Sequence, residues 1–531
     1  MVGQIAGAPA SDEPMLLVGA EVVTLDDQVP SARAILIRRR RIAWIGQDPA
    51  EVMTPTCRVL DLTGTTIQPA FVNAHTHLTT LGLLLSGLDL AVAGSVEDCL
   101  AGIRATVDVT PEPVIWGVGW DETSWPEHRA PTADELSQAS GGRPVILVRS
   151  DGHCVVVDRT SMSTLPLARA RGVDRGPDGS TSGLLRQEAA QVAQRWFGAQ
   201  LPSSTLDRAR RLATRELASV GVASAHEMGG PHRMGPADFD ALMEGDWPIE
   251  VIGYWGDLDL EFIAERGLRR VGGSLLLDGT IGSHSAALAD PYTDKAGSGQ
   301  LYHDTSELSE FTLQATRKGI QVALHAIGDR AVSQAIEVFG HVADDIGTEQ
   351  LRRSRHRLEY AALINAADVE RLAQLGIVVT VQPANDLAVL GGSYEQRLGR
   401  DRALAANPLG VLSRSGVPLA FGCDDVGALD PWAAIEASTT HLQATSSMSA
   451  RAALRAATIG GRTAARQPTV GALRAGNRAD LAVFEGVWAL DQPTLESGWT
   501  RPAPVTADEV RCILTTVAGT IVHGAALLEP A

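Results

Sequence analysis

Apolar residues fall into two textures along this chain. Near the N-terminus they come in short runs broken by Gly, Asp and Pro: LLVGAEVVTLDD from Leu16, AILIRRRRIAWIG from Ala34 and RVLDLTGTTIQP from Arg58. The same texture returns near the C-terminus in LAVFEGV and VRCILTTVAGTIVHG. Such runs, bounded by turn formers, predict strands joined by tight connections. Neither end is large enough for a good core alone, so residues 1–69 and 466–531 are expected to pair into one small composite β-sandwich. Between them, strand-like runs alternate with helix-like stretches. The runs are TIQPAFVNAHTH, PVILVRSDGH, GVASAHE, GGSLLLDG, IQVALHA, HRLEY, GIVVTVQ and VPLAFGCDD; the helices between them include LDRARRLATRELASV, AVSQAIEVFGHVADD and AADVERLAQLG. Eight β/α repeats predict a (β/α)8 TIM-type barrel over residues 70–465. The connection after the first strand is longer than a crossover needs. Its section from Trp116 to Leu136, rich in Trp, Pro and Asp, reads as a lid-like insertion or pocket wall at about 85–144.

Composition narrows the class. The 531 residues carry 45 Lys+Arg against 63 Asp+Glu, a formal charge of −18, which argues against binding nucleic acid or an anionic membrane surface. With 44% hydrophobic residues the chain can bury a substantial core. Five widely spaced cysteines without a CxxC pair fit a reducing compartment better than a disulfide framework. The N-terminal MVGQIAGAPASDEP lacks a basic n-region and a long apolar run, and the apolar stretch from Leu78 to Gly94 is interrupted by Thr, Ser and Asp. A soluble, cytoplasmic protein is expected. A homodimer is the base-rate choice.

Barrel chemistry sits at the C-terminal ends of strands. The first predicted strand ends in His75-Thr76-His77, the fifth in His325 and the eighth in Asp424-Asp425. Residues i and i+2 of an extended segment point the same way, so both imidazoles can converge on one ion. An isolated HxH is more often an ordinary polar pair; its combination with His325 and Asp424 at three strand ends is what points to a four-ligand Zn or Fe site. Asp278-Gly279, with Ser283 and His284, forms a second contact loop, and the pair His226-Glu227 reads as support behind the ligands. DGTIGSHS is no phosphate loop, since the Walker spacing and lysine are absent.

These segments resemble the amidohydrolase superfamily, in the metal-dependent hydrolase branch that includes N-substituted formamide deformylases. The resemblance runs in order through FVNAHTHL, VGWDETSWPEHRAPTADEL, SDGH, TSGLLRQEAA, LLLDGTIGSHSAALADPY, HAIGDRA, RHRLEY, VQPANDL, FGCDDVGALDP and GALRAGNRADLAVFEG, nearly the whole chain. It implies a barrel with a composite β-sandwich and metal-activated water attacking a carbonyl or amidine-like carbon. Three departures stand out. Ser274 stands roughly where this branch often has the bridging lysine of a two-metal site, and Lys295 and Lys318, the only lysines, lie off the strand ends. Tyr360 replaces the sixth-strand histidine, and Gln187 stands where relatives commonly have Glu, with Glu188 beside it. The retained His75, His77, His325 and Asp424 resemble single-metal members such as cytosine and adenosine deaminases. Asp278, His226 and His356 stand as further ligand candidates.

The expected function is therefore metal-dependent hydrolysis of a carbon–nitrogen bond in a small amide, formamide or cyclic amide. One divalent metal is expected, Zn first, with Fe or Mn also suited. Asp424 would take the water proton and deliver it to the leaving nitrogen, and Tyr360 would donate to the developing oxyanion. His153, Trp120, Asp121 and Asp278 are the expected substrate contacts, weighed against packing for the tryptophan and a structural role for the histidine. The alternatives are a cyclic-amidine deaminase, separated by ammonia release, and a metal-free barrel repurposed for binding or non-hydrolytic chemistry.

Overall fold

Eight strands carry the middle of the chain: β1 (Phe71–Thr76), β2 (Val222–Gly229), β3 (Glu250–Trp255), β4 (Arg270–Leu276), β5 (Gln321–Ala326), β6 (Arg357–Tyr360), β7 (Val378–Val381) and β8 (Leu419–Phe421). They hydrogen-bond in sequence order, and each neighbouring pair is parallel. The ring closes where Thr76 and Asp424 form an isolated parallel bridge. Strands β1, β2, β3, β5 and β7 are buried at every position, as expected when helices cover one face and barrel side chains fill the other. This is the (β/α)8 barrel expected from the sequence. In this computed structural model the described residues are 4–5, 13–122, 125–150, 154–168, 170–175, 179–388, 390–424, 429–467, 470–486 and 510–528.

One expected strand is wrong. PVILVRSDGH supplies Val145–Arg149 to a separate six-stranded sheet, and the barrel's third strand is instead EVIGYW, Glu250–Trp255. Both are short apolar runs just after a proline, and such a run does not reveal which sheet it will join. His226 and Glu227 consequently lie on the second barrel strand, not the third.

Contacts divide the chain into two units, one of Met1–His77, Thr214–Gly229 and Ala241–Ala531, the other of Leu78–Ala213 and Gly230–Asp240. The second unit runs well beyond the insertion expected at about 85–144, because the strands Val145–Arg149, Cys154–Val157, Val173–Arg175 and Thr181–Arg186 belong to its sheet. In the first unit, strands from both chain ends form one sheet, with Thr65–Pro69 paired antiparallel to Leu481–Glu485. Leu17, Ile35 and Ile67 from one end pack with Leu481 and Leu514 from the other.

Helix boundaries follow local chemistry. In Ala366–Leu375, Asn365 caps the start by accepting from Asp368 N–H, and Gly376 ends it in the left-handed conformation at φ +67°. At the barrel's N-terminal end, Arg462 joins Glu250 and Asp480, and Arg478 reaches the same two carboxylates. Burial would raise the Glu250 carboxyl, but Arg462 and Arg478 outweigh it and hold the value down at about 2. Among the described residues no helix is long and apolar enough to cross a membrane.

Candidate metal centre

The site forms where β1 meets β8. His75 is the penultimate residue of β1 and His77 follows its end; both are buried, their rings meeting edge-on at 5.8 Å between centroids. Asp424 follows β8, its N–H donating to the His75 carbonyl at 2.9 Å. The chain reaches that position through Gly422, where a Cβ would lie 2.7 Å from His75 Cβ and N, too close for any side chain. Asp424 then takes φ +52°, a conformation rare outside glycine.

Asp424 Oδ1 lies 3.2 Å from His77 Nε2 and 3.8 Å from His75 Nε2. One ligand atom from each of the three residues falls within 4.8 Å of the others. Two imidazole nitrogens and a carboxylate oxygen are a donor set for a divalent transition metal, so the residues present fit the ion. His325, the fourth expected ligand, is not part of this cluster. It is the penultimate residue of β5, 7% exposed, with its ring 4.6 Å from that of Tyr360.

Behind His75 stands a buried ion pair that the sequence reading did not identify. Glu359 Oε2 accepts from His75 Nδ1 at 2.7 Å, which leaves the lone pair on Nε2, the atom nearer Asp424. Arg357 donates to Glu359 through Nε at 2.7 Å and a terminal nitrogen at 2.9 Å. The same guanidinium reaches the Ala74 carbonyl, Thr380 Oγ1 and His226 Nδ1, at 2.7, 3.0 and 2.9 Å. Residues 357 and 359 are two apart on β6, so both project to the barrel interior. Burial opposes ionisation of Glu359, but the Arg357 charge and the His75 bond prevail and hold its carboxyl below the usual range. His226 is kept neutral, chiefly by burial and then by Arg357, Arg270 and Arg462, which push its pKa well down. A bond to a guanidinium N–H uses its Nδ1 as an acceptor, so it supports Arg357.

Tyr360 belongs to the site. Its φ is +74° and that of Ala361 is +52°, two consecutive non-glycine residues in left-handed space. This turn carries the phenol Oη to Asp424 Oδ2, to which it donates a hydrogen bond. The ring also lies 5.6 Å from that of His75.

Other expected contacts are committed to partners within the fold. Asp278 is fully buried and accepts from three backbone N–H groups, Ala287 and Gly328 at 2.8 Å and Ile327 at 3.0 Å. It therefore ties the loop after β4 to the end of β5, and its expected substrate role gives way to this structural one. Burial nonetheless lifts its carboxyl to about 7. His356 is also no ligand: Nδ1 accepts from Val322 N–H at 3.0 Å and Nε2 meets Thr316 Oγ1 at 2.9 Å. Ser274 Oγ donates to the Met228 carbonyl at 2.8 Å. Trp120 is 1% exposed in the core of the second unit, packed on Trp125, so its expected pocket role is replaced by packing. Asp121, in that unit, pairs with Arg149 at 2.8 Å, and Glu188 accepts from Arg171 N–H. His153 and Asp425 lie outside the described residues.

Comparison with known proteins places this geometry in context. Residues 58–526 match the model of a family described as the amidohydrolase family. The chain is 26% identical over 440 residues to Protein LONG AFTER FAR-RED 3 of Arabidopsis thaliana, covering 77% of this chain and 75% of that protein. It is 23% identical over 511 residues to an N-substituted formamide deformylase of Arthrobacter pascens, covering 89% and 93%. Among solved structures, a metal-dependent hydrolase of Pyrococcus furiosus superposes with a TM-score of 0.73 at 26% identity, over 89% of this chain and 99% of that one.

Proposed function

The chain belongs to the amidohydrolase family and is a hydrolase of non-peptide carbon–nitrogen bonds; from that premise we propose that it cleaves an amide, formamide or cyclic amide at a single divalent metal held by His75, His77 and Asp424. The observation that carries this reading is the convergence of those three ligand atoms within 4.8 Å. His325, outside that cluster, stands against the Tyr360 ring near the end of β5. A divalent ion held by these residues would supply Lewis acidity, of the kind that lowers the pKa of water from 15.7 toward about 7.

The chain's own groups do the rest. Glu359 fixes the tautomer and direction of His75, and Arg357 keeps Glu359 ionised despite complete burial. Asp424 receives the proton of the attacking water and hands it to the departing nitrogen, which must leave as a neutral amine or ammonia. Tyr360, donating to Asp424 Oδ2, aims that carboxylate in the resting site. Once substrate enters, the same phenol O–H is free to turn to the oxyanion of the tetrahedral intermediate. The formamide arm draws support from the Arthrobacter pascens relative, whose name specifies N-substituted formamides.

The test is a panel of N-substituted formamides, linear amides and cyclic amides, assayed after chelation and again after adding Zn, Mn or Fe. Metal-dependent release of an amine or a ring-opened acid is the expected result. Ammonia release from a cyclic amidine, without amide cleavage, would replace the proposal with a deaminase.

A further inference from the structure

The motif VQPANDL after β7 takes no part in the site described so far, yet two of its buried side chains hold polar atoms that the fold leaves without partners. Gln382 is 1% exposed, and neither Nε2 nor Oε1 has a hydrogen-bond partner among the described residues. Asp386, one helical turn on in Pro383–Ala388, is 7% exposed and its Oδ2 likewise has none. Buried amides and carboxylates are almost always satisfied, so several such atoms within five residues point to a missing ligand. The segment is fastened to the metal centre: Asn385 Nδ2 donates to the Cys423 carbonyl at 2.7 Å, one residue before Asp424.

The charge around Asp386 says what is missing. Burial lifts its carboxyl to about 7, while a hydrogen bond to the Gln382 backbone opposes this and the like charge of Asp424 adds to it. No arginine, lysine or histidine of the described chain pairs with it. This contrasts with Glu359 and Glu250, buried carboxylates that the fold supplies with guanidinium partners. Beside the segment lies an apolar cluster containing Tyr394, Leu390 and Ala362, against which Leu387 and Tyr360 pack.

We propose that Asp386 and Gln382 form a recognition subsite for a protonated amino group on the substrate, with the adjoining apolar cluster taking the hydrocarbon that carries it. The amine donates N–H bonds to Asp386 Oδ2 and Gln382 Oε1, which supplies the cation that this carboxylate lacks. The proposal rests on the reading of this strand-end face as the substrate side, and it narrows the substrate class to amides bearing a second, cationic nitrogen.

Binding tests this without turnover. Cyclohexylamine and its neutral counterpart cyclohexanol would be titrated calorimetrically at neutral pH into the zinc-loaded full chain, its Asp386→Asn and Gln382→Leu variants, and the His75→Ala/His77→Ala variant. The wild type should bind the amine about tenfold or more tighter than the alcohol. Asp386→Asn should erase that preference, and Gln382→Leu should weaken the amine severalfold while keeping it. The His75→Ala/His77→Ala variant should keep the preference in full, so a failed metal site and a failed subsite give different results. Equal binding of the two probes by wild type would overturn the proposal, as would an undiminished preference in Asp386→Asn. Loss of the preference in His75→Ala/His77→Ala alone would assign the amine to the metal and overturn it too.

Discussion

Replacing Glu359 with Leu tests how the interior of the barrel supports the metal centre. The carboxylate accepts from His75 at 2.7 Å and from Arg357 at 2.7 and 2.9 Å, and all three bonds vanish in Glu359→Leu. Arg357 keeps its bonds to Ala74, Thr380 and His226 but loses its counter-ion in a fully buried position. Leaving one member of such a pair behind costs about 3–5 kcal/mol. Separately, His75 loses the acceptor that fixes its tautomer, which lowers metal affinity about 10–100-fold, or roughly 1.4–2.7 kcal/mol. The double variant Arg357→Met/Glu359→Leu separates the two effects. It removes the stranded cation, so stability should return to within about 2 kcal/mol of wild type, while metal affinity stays low because His75 still has no acceptor. Denaturant unfolding of the metal-free proteins reads the first quantity, and competition with a zinc chelator reads the second. Wild-type metal affinity in Glu359→Leu would refute the role given to this residue; recovery of affinity in the double variant would do the same.

Other consequences follow from individual side chains. His356 is pushed down to about 3, by burial and then by Arg466. It stays neutral in the folded state while the unfolded chain takes up a proton below 6.5, so stability should fall as pH drops from 6.5 toward 3, by a few kcal/mol at most. Unfolding free energies of wild type and His356→Asn across that range check this, the variant giving the flatter profile. Asp278→Ala leaves three buried N–H groups without acceptors and should destabilise by roughly 3 kcal/mol or more. Its thermal melting temperature should drop, and the refolded fraction should retain metal binding. Tyr360→Phe removes the hydroxyl that reaches Asp424 and should lower turnover of a formamide substrate at least about tenfold, with metal content unchanged by plasma mass spectrometry.

Much of the architecture was legible because its signals are periodic or local. Burial on both sides makes parallel strands read as continuous apolar runs, and the polar residues interrupting their C-terminal ends mark the site. His75, His77 and Asp424 were found this way, and the structure brings them together. The third barrel strand was not separable by the same signal from a strand of the second unit's sheet, since PVILVR and EVIGYW look alike to any measure of apolar content. The pair Arg357–Glu359 had a signal that went unread: opposite charges two apart in a short strand must share one face, and inside a barrel that face is buried. Asp278 misled in the opposite sense. An Asp-Gly after a strand looks like a ligand loop, whereas its role depends on backbone N–H groups from Ala287, Ile327 and Gly328 that no side-chain pattern reveals. The left-handed turn at Tyr360 and Ala361 was equally hidden, since neither residue favours it and only the closed barrel enforces it.

Metal content per chain, measured by plasma mass spectrometry on wild type and His75→Ala/His77→Ala prepared side by side, decides whether this barrel holds its ion through the two imidazoles. One divalent ion per wild-type chain, lost in the variant, is the predicted result. A wild-type chain that holds no metal after reconstitution with Zn, Fe or Mn would contradict it, and so would a variant that retains the ion.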